Sequence, residues 1–195
     1  MKDCSISLVG VGGQGILLSS DVLVRTAMLA GLDAKKVEVH GMSQRGGSVT
    51  SQVRFGLRVA SPIIPQGASD ILVSFDRLEA LRHRPLLKAD GVALVNDADI
   101  VPTTVSSGMQ PPVADIAGLL KATFPRLICF DAQALAVEAG NPKCANVVIT
   151  GALSRLLEFD ASLWLDALRS RVPPKLLDVN LRAFELGRSA QPAEA

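Results

Sequence analysis

Short apolar runs alternate with stretches of helical period along most of the chain, and their order predicts an α/β fold. Ser5–Val9 is an apolar-rich run that stops at Gly10, as a buried strand does. Between Gly15 and Ala30 the residues Ile16, Leu17, Val22, Leu23, Ala27 and Leu29 recur at helical spacing. Gly31 is placed to end that helix in the left-handed region. Lys36–His40 alternates and carries two valines, as a second strand would. The first forty residues therefore read as a β–loop–α–β unit, whose short connections imply parallel strands and a right-handed crossover.

The same reading continues downstream. Ser48–Phe55, Asp70–Phe75, Gly91–Asn96 and Leu127–Asp131 predict four further strands. Arg77–Arg84 predicts a helix that Pro85 should stop. Ala98–Pro112, with Pro102, Gly108, Pro111 and Pro112, predicts a loop or an edge strand. Val113–Phe124, Ala132–Ala139, Ala145–Phe159, Ala161–Val172 and Leu176–Arg188 are helical in period. The expected architecture is Rossmann-like: a mostly parallel sheet, helices on both faces and a helical C-terminal third. No repeat or composition shift divides it, so residues 1–188 form one expected domain and 189–195 a frayed, flexible tail.

Composition narrows the partners. The chain has 195 residues, 48% of them hydrophobic, and 20 basic against 19 acidic groups leave a net charge of +1. That balance gives no electrostatic case for nucleic acid or for an anionic membrane. An apolar, nearly neutral domain is instead expected to bury part of its surface in a permanent partner. No apolar stretch reads as a membrane span or a signal peptide, and a cytoplasmic protein is expected. Cys4, Cys129 and Cys144 are widely spaced, and the chain has no C-x-x-C pair from which to build a cluster or zinc site. With two histidines and no clustered carboxylates, no metal site is expected.

Two patches carry candidate chemistry. Gly10-Val-Gly12-Gly13-Gln14-Gly15 satisfies G-x-G-x-x-G between a strand and a helix. Glycines there let a ligand approach the backbone, and unpaired amides at the helix start attract an anion such as a pyrophosphate. Glu38 lies near the position of a ribose-binding acid. Against a dehydrogenase stand the absence of tyrosine and the little chain left for a second catalytic domain. No G-K-[ST] follows the glycines, so a P-loop is excluded. The loop's alternatives are a bound nucleotide, close helix packing, or contact with a partner's ligand.

The second patch is His40-Gly-Met-Ser-Gln44-Arg45-Gly46-Gly47-Ser48. Following the second strand, it should lie at the same carboxyl edge of the sheet as the first loop, where ligands of open α/β sheets bind. Arg45 beside Gly46 and Gly47 combines a fork of donors with exposed amides, a candidate clamp for an anion or carboxylate. The plainer alternative is a turn with Arg45 paired to a neighbouring acid.

Together, G-G-Q-G-I after a strand and E-V-H-G-M-S-Q-R-G-G-S-V after a helix resemble the gamma-type domain of 2-oxoacid:ferredoxin oxidoreductases. Within that family they are most similar to the small (beta) subunits of the indolepyruvate type. The resemblance continues through Ser61–Pro65, Asp70–Phe75, Leu78–Leu81, Gly91–Asn96, Asn146–Leu153, Pro173–Lys175 and Asn180–Phe184, nearly the whole chain. It implies an enzyme complex that oxidatively decarboxylates a 2-oxoacid with coenzyme A and reduces ferredoxin. It further implies that thiamine diphosphate and iron–sulfur clusters belong to a large (alpha) subunit, and that this chain alone is inactive. No catalytic residue is assigned here. Gly10, Gly12, Gly13, Gln14, Gly15, His40, Gln44, Arg45, Gly46, Gly47 and Ser48 are the candidate binding residues, and a homodimer of the isolated chain stays open. The alternative is a free-standing NAD(P)- or nucleotide-binding Rossmann domain.

Overall fold

Apolar runs become strands and helical periods become helices over the described residues of the computed structural model, 3–40 and 47–190. In chain order they are β1 (Cys4–Val11), α1 (Ile16–Leu29), β2 (Asp33–His40), β3 (Ser48–Gly56), β4 (Ser69–Ser74), α2 (Arg77–Arg82) and β5 (Leu87–Asn96). Then follow α3 (Thr103–Ser106), α4 (Ile116–Thr123), β6 (Leu127–Phe130), α5 (Ala132–Ala139), α6 (Ala145–Ser154), α7 (Ala161–Arg171) and α8 (Leu177–Ser189).

The strands form one sheet in the order β2-β3-β1-β4-β5-β6. β1, β4, β5 and β6 pair in parallel, whereas β3 runs antiparallel to both β1 and β2. The expected mostly parallel α/β architecture is present, with one correction. β1 and β2 share a direction but are not neighbours, because β3 lies between them. Hydrophobic period reports which face a strand buries, not which strand it pairs with.

Alternate residues of one strand feed opposite cores, as the pleat requires. Ile6, Leu8, Ile71, Val73 and Leu94 enter the larger core with the buried residues of α1 and α5–α8. Val9, Leu72, Ala93 and Val95 enter the smaller one with Ala80 and Leu120, from α2 and α4. On the larger side the aromatic series Phe55, Phe159, Trp164 and Phe184 has successive ring centroids 5.2, 6.1 and 6.2 Å apart. α6 and α8 cross so closely that a Cβ on Gly187 would meet the Val148 carbonyl.

Several boundaries differ from expectation for local reasons. α4 starts at Ile116, three residues late, because Asp115 adopts φ 47° and accepts a hydrogen bond from the Gly118 amide at 3.0 Å. The proline-rich stretch 98–112 contains the short α3 and no strand. α2 ends at Arg82, and Pro85 sits in a separate 3-10 turn. α6 ends at Ser154, and Phe159 enters the core beyond it. Gly31 does end α1, with φ 80° and its amide donating to Met28. α8 runs through Ser189, while residues 191–195 of the expected tail lie outside the described residues. Among the described residues no helix is long and apolar enough to cross a membrane.

Candidate functional site

At the carboxyl end of β1 the chain turns through Gly12 and Gly13 into α1. Gly15, the N-cap residue, has φ 82°, and a Cβ there would collide with the Asn146 side chain. Both facts demand glycine. Gln14 folds back over the turn: its Oε1 accepts from the Val11 amide at 2.6 Å, and its Nε2 donates to the Phe75 carbonyl at 2.9 Å. The Gln14 amide donates to the Val11 carbonyl at 3.2 Å, and the Gly12 amide to the Gly47 carbonyl at 2.9 Å. The amides of Val11, Gly12 and Gln14 are thus already donating within the protein.

The bond from Gly12 to Gly47 joins the two glycine-rich patches, as their shared edge predicts. Val11 pairs with Ser48, and His40 at the end of β2 pairs with Val49. Gln44, Arg45 and Gly46 lie outside the described residues, as do Gly41, Met42 and Ser43. Gly10, Gly12, Gly13, Gln14, Gly15, Gly47, Ser48 and the backbone of His40 are therefore brought together.

Sequence reasoning missed the anchor beneath this seam. The Ser48 hydroxyl donates to the Glu79 carboxylate, which also pairs with Arg82. His83 Nε2 lies 3.1 Å from Ser48 Oγ and 3.3 Å from Glu79. Burial, the largest influence, pushes the Glu79 carboxyl up, but the hydrogen bonds from His83 and Ser48 and the charge of Arg82 outweigh it. Together they hold it below the ordinary carboxylate range. One turn earlier, Asp76 caps α2 by accepting from the Glu79 amide at 2.9 Å, and its Oδ2 has no hydrogen-bond partner. Burial raises this carboxyl to about 6, against the pull of the Glu79 and Leu78 amides. Asp76, Glu79 and Ser48 line a small cavity of about 120 Å³.

On the other side of the β1–β4 junction lies a larger cavity of about 480 Å³, lined in part by Gly13, Gln14, Asn96, Gln133, Lys143 and Asn146. Its polar groups are interlocked. Asn96 Nδ2 donates to the Phe75 carbonyl at 3.1 Å and its Oδ1 accepts from the Ala132 amide at 2.9 Å. Asn146 Nδ2 donates to the Gly15 carbonyl at 3.3 Å. β1 leads into α1 on one face of the sheet, while β4 leads into α2 on the other. The cavity thus opens where adjacent loops diverge, the usual ligand position in an open α/β sheet. Among the described residues no carboxylate lines it, whereas Lys143 and the start of α1 border it, so it favours an anion.

Other candidates do not converge here. Glu38 sits two strands from β1, on the far side of β3, and pairs with Lys36. That separation removes it from the place of a ribose-binding acid. The cysteines lie in separate elements, and burial pushes the Cys4 thiol to about 12 and Cys129 to about 11. Such a set does not fit an iron–sulfur cluster. Among the described residues no group of three His, Cys, Asp or Glu is placed to hold a metal ion.

The comparisons with known proteins agree with this geometry. The model of the pyruvate ferredoxin/flavodoxin oxidoreductase family matches residues 5–190. Indolepyruvate oxidoreductase subunit IorB of Thermococcus kodakarensis is 43% identical over 97% of this chain and 96% of its own length. The gamma subunit of a keto/oxoacid ferredoxin oxidoreductase from Geobacter sulfurreducens superposes with a TM-score of 0.72 at 23% identity, covering 95% of this chain and 96% of that one. The 2-oxoglutarate:ferredoxin oxidoreductase of Magnetococcus marinus, solved with 2-oxoglutarate, coenzyme A and succinyl-CoA bound, superposes over all of this chain and 32% of its own. The TM-score there is 0.71 and the identity 20%. These two structural likenesses speak to the fold. The family match and the relative's identity, each spanning almost the full length, settle the rest: the chain belongs to the pyruvate ferredoxin/flavodoxin oxidoreductase family.

Proposed function

We propose that this chain is the small subunit of an indolepyruvate-type 2-oxoacid:ferredoxin oxidoreductase, and that its carboxyl edge forms one wall of a site completed by a large subunit. The observation that carries this reading is the hydrogen-bonded union of the two glycine-rich patches, beside an acid-free cavity, within a full-length match to such subunits. The complex converts a 2-oxoacid and coenzyme A into an acyl-CoA and carbon dioxide, passing two electrons to ferredoxin. Thiamine diphosphate and iron–sulfur clusters held by the large subunit supply the decarboxylation and electron-transfer chemistry. This chain contributes binding. The loop Gly10–Gly15, the guanidinium of Arg45 and the patch His40, Gln44, Gly46, Gly47 and Ser48 close around the anionic substrate or coenzyme A. The coenzyme A bound by the Magnetococcus marinus enzyme makes that ligand a natural candidate. The complex acts in the cytoplasm, and the isolated chain, lacking its partner, is inactive and free to pair with itself.

The test is Arg45→Ala in a complex reconstituted with the large subunit. Assembly should persist while KM for the 2-oxoacid or for coenzyme A rises. Unchanged assembly together with unchanged kinetics for both ligands overturns the reading. Tight NADH binding by the isolated chain would favour a free-standing nucleotide-binding domain instead.

A further inference from the structure

A second cavity, of about 410 Å³, sits against the sheet on the side of the larger core and shares no lining residue with the cavity at the carboxyl edge. Its volume falls in the range of small-molecule sites. Leu94 and Phe130, both buried, together with Ile128 and Leu156, give it an apolar lining. Gly187, kept free of a side chain by the close crossing of α6 and α8, forms part of the wall. Arg155 and Arg188 complete the lining.

These two guanidiniums face the cavity without an ion pair of their own among the described residues. Arg77, Arg82, Arg169 and Arg171 each meet a carboxylate. Arg155 and Arg188 have no carboxylate partner among the described residues. Arg188 is nevertheless held in place: its Nη1 donates to Ser154 Oγ at 2.8 Å, and its guanidinium lies over the Phe184 ring, 5.9 Å from the centroid. A fixed guanidinium with donors to spare, beside a second unpaired one and above an apolar lining, is built for a carboxylate attached to an apolar body.

We propose that this cavity binds an amphipathic monocarboxylate, its apolar body against Leu94, Ile128 and Phe130 and its carboxylate between Arg155 and Arg188.

Calorimetric titration of the full chain with 2-naphthoate, and with the uncharged isostere 2-naphthamide, tests the assignment. Saturable 2-naphthoate binding is expected below about 1 mM, with the amide about tenfold weaker because the ionic contact is lost. Arg155→Gln and Arg188→Gln should each weaken naphthoate about tenfold and leave the amide unchanged. Ala152→Phe, which fills the wall, should abolish both. Absence of saturable naphthoate binding by the wild-type chain overturns the proposal, a result that requires no variant to fold. Equal affinity for the acid and the amide overturns it as well, as does naphthoate binding that survives the double replacement. None of these readouts involves turnover, so the outcome is separate from that of the Arg45 experiment.

Discussion

The two sides of the β1–β4 junction are built from different chemistry, although they share strand ends and lie against the same glycine turn. On the seam side, Ser48, Asp76, Glu79, Arg82 and His83 form a compact set of ionisable and hydroxyl groups that mostly satisfy one another. On the cavity side, Gln14, Asn96 and Asn146 lace the strand ends through neutral amides. The charged side spends its hydrogen bonds on holding the loops and leaves a small void. The neutral side braces the strand ends and leaves a volume four times larger, about 480 against about 120 Å³. Rigidity and capacity are thereby separated across a single pair of strands.

Breaking the charged side should have the largest effect. Glu79→Ala removes the acceptor shared by Ser48, Arg82 and His83 and is expected to cost about 2–4 kcal/mol in urea unfolding. Glu79→Gln keeps an acceptor for Ser48 and should recover roughly half of that. Equal losses in the two variants would mean that the hydrogen bond to Ser48 contributes nothing.

On the neutral side, Gly15→Ala combines left-handed strain with collision against Asn146 and should cost about 2–3 kcal/mol. Gly13→Ala is strained in the same way, with φ 105°, but a Cβ there meets nothing within 4 Å. It should cost about 1 kcal/mol. Parity between the two would show that the Asn146 brace does not fix the turn.

A third effect is a matter of pH. Burial raises the Asp76 carboxyl from its ordinary 3.8 to about 6, so the folded state prefers the neutral acid. Its contribution is fully present below the unfolded value and is lost as pH rises through about 6. An asparagine at this position would keep the cap without ionising. Asp76→Asn should therefore gain on the wild type between pH 4 and pH 8, by on the order of 2 kcal/mol. Thermal melts at the two pH values check this, and a pH-independent difference would refute it.

Much of this was legible from periodicity. β1, α1, β3, β4 and α5 appear where apolar spacing places them, because each buries a defined face. The insertion of β3 between β1 and β2 was not legible, since pairing depends on backbone groups that every sequence shares. The candidate site shows the same divide. Glycine spacing marked Gly10–Gly15, and the donor-rich turn marked its approach to Gly47 and Ser48. The groups that fix this edge come from far along the chain: the Glu79 carboxylate from 31 residues beyond Ser48, the Phe75 carbonyl from 61 beyond Gln14 and the Asn146 amide from 131 beyond Gly15. No local pattern ties such partners together. Glu79 and His83 carried only the weak signal of polar residues at helical spacing.

The hydrogen bond from Gly12 to Gly47 bears on how the family can diversify. Both partners are main-chain groups, so replacing side chains between residues 41 and 46 does not remove the fastening. β2 and β3 are adjacent antiparallel strands whose last pair is His40 with Val49. On the function proposed above, substitution in residues 41–46 would retune ligand recognition while the anchorage is inherited unchanged. A one-residue slip of β3 is different in kind: it would move Ser48 away from Glu79 and turn every buried β3 side chain outward at once. The fastening therefore constrains the side chains of residues 41–46 far less than it constrains the phase of the strand that follows them.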